Sequence, residues 1–354
     1  MLWRRTPGAA AVAAALLGCQ PAPAPATWTG AFVTAYSDEG VELCGGTSDF
    51  LDRYVESVGT YWTGGSWSRP EQPFTVELRA RPGEASGRSL TADFAWVGTG
   101  SSLQHELVHL VTWTEDGVSA PALAEGVAEG LGPSRTPEIW FDAFAGERPE
   151  DFAFLPAEEF RPDTGTYYVG AAQMVAALDR RYGIDAVRQA YQRAPRDGPS
   201  TQIEDAYLEA FGETVYETFD EIVAERPCGF RQWQCDPSVV PSVDLPFGST
   251  MAETASCGDD KGLIGAELSG DTHWYPEAVF ALEFDQETSF MFEEDNAFIH
   301  GFTCRHTCEG PDAVPPDIVY PYEGVPTTLP AGRYFFRVRS ADRVNPFSFS
   351  LHPA

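Results

Sequence analysis

Two short stretches, Gln104–His109 (Q-H-E-L-V-H) and Ala120–Gly130 (A-P-A-L-A-E-G-V-A-E-G), decide how this sequence is read. A helix through the first places His105 and His109 on one face, one turn apart. Two imidazoles so placed can reach a single zinc ion. Glu106 then lies about 100° round the helix from His105, where it can hold a water on the metal. Leu103, Leu107, Leu110 and Val111 give this helix its apolar packing, and Ser101 or Ser102 can cap its start. A catalytic zinc needs a third protein ligand. Glu125 follows His109 by 16 positions, in a second helix opened by Pro121 and built on Ala122, Leu123, Ala124, Val127 and Ala128. Glu125 and Glu129 are again one turn apart. We assign Glu125 to the zinc. Glu129 is then the outer carboxylate that takes the spare N–H of a zinc-bound histidine and fixes its tautomer. Spacing alone also permits the reverse assignment, or an acidic stripe facing solvent.

H-E-x-x-H followed by a helix carrying E-x-x-x-[D/E] resembles the gluzincin metallopeptidases, the thermolysin-like clan. L-A-E-G-x-A-E is similar to the version in small bacterial gluzincin-like domains. The resemblance spans roughly residues 27–226, but only its central segment is specific. It implies an α+β domain of a small sheet plus helices and hydrolysis of peptide bonds. It further implies a Zn2+ cofactor on His105, His109 and Glu125, with Glu106 as general base. The stretch from Tyr167, Y-Y-V-G-A-A-Q-M-V, resembles the Y-x-x-A-G-x-F-V helix of such domains. Ala172 stands at the glycine and Met174 at the phenylalanine. Tyr168 takes the tyrosine position, where a phenol can donate to the oxyanion of a tetrahedral intermediate; a tyrosine packed at a helix start reads the same way. The family pattern also makes the strand before the zinc helix, here 91–97, a sheet edge that pairs with an extended peptide. An interior strand has the same sequence signature.

The chain has 354 residues, 53 acidic and 23 basic, for a net charge of −30, and its only lysine is Lys261. Such a surface repels phosphate backbones, so nucleic acid is not an expected partner. Residues 1–18 read as a signal peptide: Arg4 and Arg5 precede an apolar run, Ala9 to Leu17, too short to span a bilayer. Leu16-Leu17-Gly18-Cys19 resembles a bacterial lipobox, which implies cleavage before Cys19 and lipidation of its thiol. Gln20, in place of an aspartate, points to the outer membrane in the Gram-negative pattern. Residues 19–26, rich in Pro and Ala, form the tether. The six other cysteines, Cys44, Cys228, Cys235, Cys257, Cys304 and Cys308, suit disulfides in an exported chain, in any of 15 pairings. Cys304 and Cys308 with His300 and His306 offer metal ligands as the alternative.

Residues 27–226 form the metallopeptidase-like domain. Within it the pattern predicts strands over 27–36, 73–80 and 91–97, and helices over 44–62, 167–183, 184–194, 201–211 and 215–224. The aromatic, proline-rich stretch 132–164 packs on the domain or covers its cleft. A linker over 227–241 leads to an all-β part, 242–354, where Phe280, Leu282 and Phe284, then Tyr334, Phe336 and Val338, then Phe347, Phe349 and Leu351 alternate with other residues. That pattern indicates a β-sandwich. Its ending resembles the bacterial pre-peptidase C-terminal type, which implies an accessory role. The expected partner is a peptide or protein substrate. The rival expectation is a catalytically silent, surface-anchored binding lipoprotein on a decayed protease scaffold.

Overall fold

The computed structural model describes residues 28–37, 41–43, 45–78, 88–91, 93–97, 103–132, 148–160, 165–212, 215–216, 219–220, 236, 238–239, 243–244, 253–255, 263–264, 266–268, 277–295, 297–303, 318–319, 321–340 and 347–354. These residues form helices and sheets of the α+β kind. The signal peptide, the tether, Cys19 and all six other cysteines lie outside them, as do Ser101, Ser102 and most of the expected linker and of the 215–224 helix.

The chain opens with β1 (Trp28–Thr29) and β2 (Val33–Ser37), followed by β3 (Val41–Leu43) and the long helix α1 (Gly45–Trp62). The single strand expected over 27–36 is a hairpin, with Trp28 opposite Ala35. The break falls at Gly30, where a Cβ would lie 2.1 Å from the Trp28 ring and 2.4 Å from the Asp52 carboxylate. Asp52, on α1, accepts the backbone N–H of Ala31, Phe32 and Val33 at 2.5, 2.8 and 3.1 Å, so the turn is pinned to the helix. Along α1, Phe50, Leu51, Tyr54, Val55, Val58 and Trp62 recur at helical spacing, and all are buried.

Next come β4 (Phe74–Leu78), β5 (Arg88–Thr91), β6 (Phe94–Val97) and α2 (Leu103–Asp116). The first sheet runs β1-β2-β4-β6-β5. β2, β4 and β6 are parallel, and β5 folds back antiparallel on β6. This corrects the expected edge: the strand preceding α2 is interior, and β5 lies outside it. A chain that folds back within the few residues between Thr91 and Phe94 leaves a pattern that periodicity reads as one strand. In β4, Phe74, Val76 and Leu78 face inward with Thr75 and Glu77 only partly covered, a half-buried alternation.

The helical part consists of α3 (Pro121–Leu131), α4 (Pro149–Phe152), α5 (Gly165–Tyr182), α6 (Ile184–Arg193) and α7 (Ser200–Phe211). Phe152, Phe154 and Phe160 are buried in the same core as α2 and α3, so the described part of the 132–164 stretch packs on the domain.

The remaining strands are β7 (Val243–Asp244), β8 (Glu253–Ala255), β9 (Leu263–Ile264), β10 (Ala266–Leu268), β11 (Glu277–Phe284), β12 (Thr288–Asp295), β13 (Ala297–Thr303), β14 (Ile318–Val319), β15 (Thr327–Leu329), β16 (Gly332–Ser340) and β17 (Phe347–Pro353). One sheet runs β14-β13-β16-β11-β7, with β9 also on β11, and another runs β15-β12-β17-β8. Alternation holds at Leu282 and Phe284, buried on either side of exposed Glu283. It fails at Phe335, which is as buried as Phe336 although it projects from the other face of the sheet. Phe335 belongs to the core that holds the α1 and α2 residues. The two parts of the chain also meet where β10 pairs antiparallel with β3, Ala266 opposite Leu43, and where the Arg53 guanidinium donates to the Ser238 carbonyl at 2.9 Å.

Candidate metal centre

Leu107, Val108, Leu110 and Val111 of α2 are fully buried, and the polar residues His105, Glu106 and His109 are buried among them. Buried polar groups need partners, and α3 supplies two of them. The helix turns back on α2 through a tight connection in which Gly117, at φ +79°, takes the left-handed conformation that ends α2. Pro121 opens α3 at the position where its missing N–H does no harm. α3 then presses against α5: a Cβ on Gly126 would lie 2.5 Å from the Ala171 carbonyl oxygen. With that face against α5, the residue preceding Gly126, Glu125, reaches the two histidines of α2.

The geometry is a small triangle. His105 Nε2 lies 3.1 Å from Glu125 Oε2 and 3.1 Å from His109 Nε2, and His109 Nε2 lies 3.3 Å from Glu125 Oε2. On the far side of the ring, His105 Nδ1 meets Glu129 Oε2 at 3.0 Å. Glu129 is 4% exposed, so this is an interior contact and not a solvated stripe. Because a carboxylate can only accept, Nδ1 of His105 carries the proton there. Nε2 faces a carboxylate oxygen and a second imidazole nitrogen.

Three such atoms repel one another unless a positive charge joins them. In the metal-free protein a proton does so. Burial opposes a charged His105 ring, but the Glu125 and Glu129 carboxylates outweigh it and push the ring up to about 10. Burial likewise works against an ionised Glu125, yet the two histidines hold it well below the usual carboxylate range.

A metal ion is the other candidate. Ligands about 2.0–2.1 Å from a tetrahedral ion stand about 3.3–3.4 Å apart. The observed edges differ from that by no more than a few tenths of an ångström. His105, His109 and Glu125 could therefore hold a metal ion, and among the described residues they form the one such group.

Glu106 sits beside His105 on α2 and is 5% exposed. Tyr168, in the first turns of α5, places its ring 5.8 Å from the His105 ring and 6.3 Å from the Phe160 ring. Sequence reasoning did not anticipate Trp113, whose ring lies 5.3 Å from that of His109. Its signal was available, since it follows His109 at i+4. Tyr54 donates to the Leu131 carbonyl at 2.7 Å and ties the end of α3 to α1, for which no local pattern exists.

No protein-family model matches the chain, and no curated protein matches it. No helix among the described residues is long and apolar enough to cross a membrane.

Proposed function

We propose that the protein is a zinc-dependent peptidase of gluzincin type, exported and held at the bacterial outer membrane or cell surface by a lipid on Cys19. The observation that carries this reading is the convergence of His105 Nε2, His109 Nε2 and Glu125 Oε2 within 3.3 Å of one another. Two imidazoles and one carboxylate are the ligand set of zinc hydrolases that keep a position open for water. Zinc held there supplies Lewis acidity and brings the pKa of water towards about 7. The chain's own residues do the rest. Glu106 takes a proton from the attacking water and passes it to the nitrogen of the leaving amine. The Tyr168 phenol donates to the oxyanion of the tetrahedral intermediate. Glu129 keeps the His105 proton on Nδ1 so that Nε2 stays a ligand.

The C-terminal strands we read as a β-sandwich serving as an accessory module. Its support is that rings from different sheets meet: Phe284 and Phe336 each lie 6.0 Å from Phe290. Glu106→Gln keeps the metal and lowers peptide turnover at least about a hundredfold, measured as cleavage sites in a peptide library. Wild-type protein that takes up zinc but cleaves no peptide would favour the silent binding lipoprotein instead.

A further inference from the structure

The two helices that bring ligands to the metal centre are joined by a turn, and one other helix, with the residue that caps its end, Ala194, grips both sides of it. Asp116, the last residue of α2, has a side chain only 2% exposed. A buried carboxylate at a helix C-terminus is doubly unfavourable, through burial and through the helix dipole. It is met by four donors. Trp62 Nε1 donates at 2.6 Å, Arg188 at 2.7 Å through Nε and at 2.9 Å through Nη2, and Gln192 Nε2 at 2.6 Å. On the other side of the turn, the Ala194 carbonyl accepts the Ala120 N–H at 3.1 Å and the Ser119 hydroxyl at 3.4 Å. One turn further back, the Tyr191 hydroxyl donates to Thr112 of α2 at 3.1 Å. Arg188, Tyr191 and Gln192 share one face of α6 at helical spacing.

We infer that α6 is a clamp that sets the metal ligands, and that Arg188 is a positioning residue acting through Asp116. The two-point fork of its guanidinium fixes α2 against rotation about its axis and sliding along it. A rotation of α2 swings His105 and His109 away from Glu125, which α3 holds separately against α5. Arg188 does not touch the ligands, so its effect is felt as their alignment. The inference rests on the metal-centre reading.

The test is competition for zinc between the full-length protein and a chromophoric chelator, at a temperature where each variant is folded, with the visible spectrum of the cobalt-loaded protein as a second readout. Arg188→Met is expected to weaken zinc binding by about tenfold, the low end of the loss seen when a group bonded directly to a ligand is removed, and to shift the cobalt spectrum. Arg188→Lys, which keeps the charge and loses the fork, recovers only part of the affinity. A purely structural Arg188 would lower the melting temperature and leave both metal readouts at wild-type values in the folded protein, and that result overturns the inference. If Arg188→Met does not fold, Arg188→Lys decides by the same two readouts. Wild-type protein that takes up no zinc overturns the metal centre and the clamp together, whereas zinc bound equally by wild type and variants overturns the clamp alone.

Discussion

His105 shows how a single side chain is set to one of two states. Its ring is buried between two carboxylates, which hold a proton on it up to about pH 10. In the metal-free protein the folded value is raised above the ordinary 6.5. The stabilisation from this pairing is therefore complete below about pH 6.5 and lost as pH rises through about 10. Glu125 has the opposite sense: its folded value is depressed, so its share is present above the usual carboxylate range and lost as pH falls through the lowered value. Between these limits His105 must give up a proton before it can bind an ion. Zinc uptake between pH 7 and 9 is therefore expected to release about one proton from this ring, and apparent affinity to rise about tenfold per pH unit. Calorimetry in buffers of different ionisation enthalpy measures this, and uptake with no proton release would contradict it. The candidate ligands were legible in the sequence because i, i+4 spacing is a fixed property of helices. The roles of Glu125 and Glu129 are assigned in that order from the sequence, but spacing alone leaves the reverse open, because both occupy the same face. The choice is set by how far along α2 the helix α3 lies, which is a packing distance.

That packing distance is a property of elements. Gly126 lets α3 approach α5 until a Cβ would stand 2.5 Å from a backbone oxygen and 2.8 Å from the Val175 side chain. Backbone cannot swing aside as a flexible side chain can. Gly126→Ala is therefore expected to push the helices apart at a cost of about 1–3 kcal/mol, read as a lowered melting temperature. An unchanged melting temperature would mean that the helices are not in contact there. Helices were the most legible elements, since α1, α6 and α7 bury residues at helical spacing. Strands were less so. The hairpin of β1 and β2 and the fold-back of β5 on β6 both turn on a very few residues, where no period-2 pattern marks the break. The sheet's true edge follows from that fold-back and not from any strand's own composition.

At the scale of the molecule, the N- and C-terminal parts are not independent in their packing. β3 pairs with β10, and Phe335 joins the helical core. Alternation along β16 marks Phe335 as outward only because the sequence carries no record of what covers that face. The same limit applies to the candidate metal centre, where the residues that could hold an ion come from two helices and the supports from α1, α5 and α6. Export and a lipid on Cys19 would place this acidic chain, at net charge −30, outside the cytoplasm, where an acidic surface favours solubility. On the proposed reading His105, His109 and Glu125 together hold one zinc ion. The most direct measurement is the metal content of purified full-length protein by elemental mass spectrometry, for the wild type, His109→Ala and Glu125→Ala. About one zinc per wild-type chain is expected, with a loss of about tenfold or more in each variant, since removing one of three ligands leaves too few for a stable site. A wild type free of zinc, or variants that retain the wild-type amount, would contradict the proposed reading.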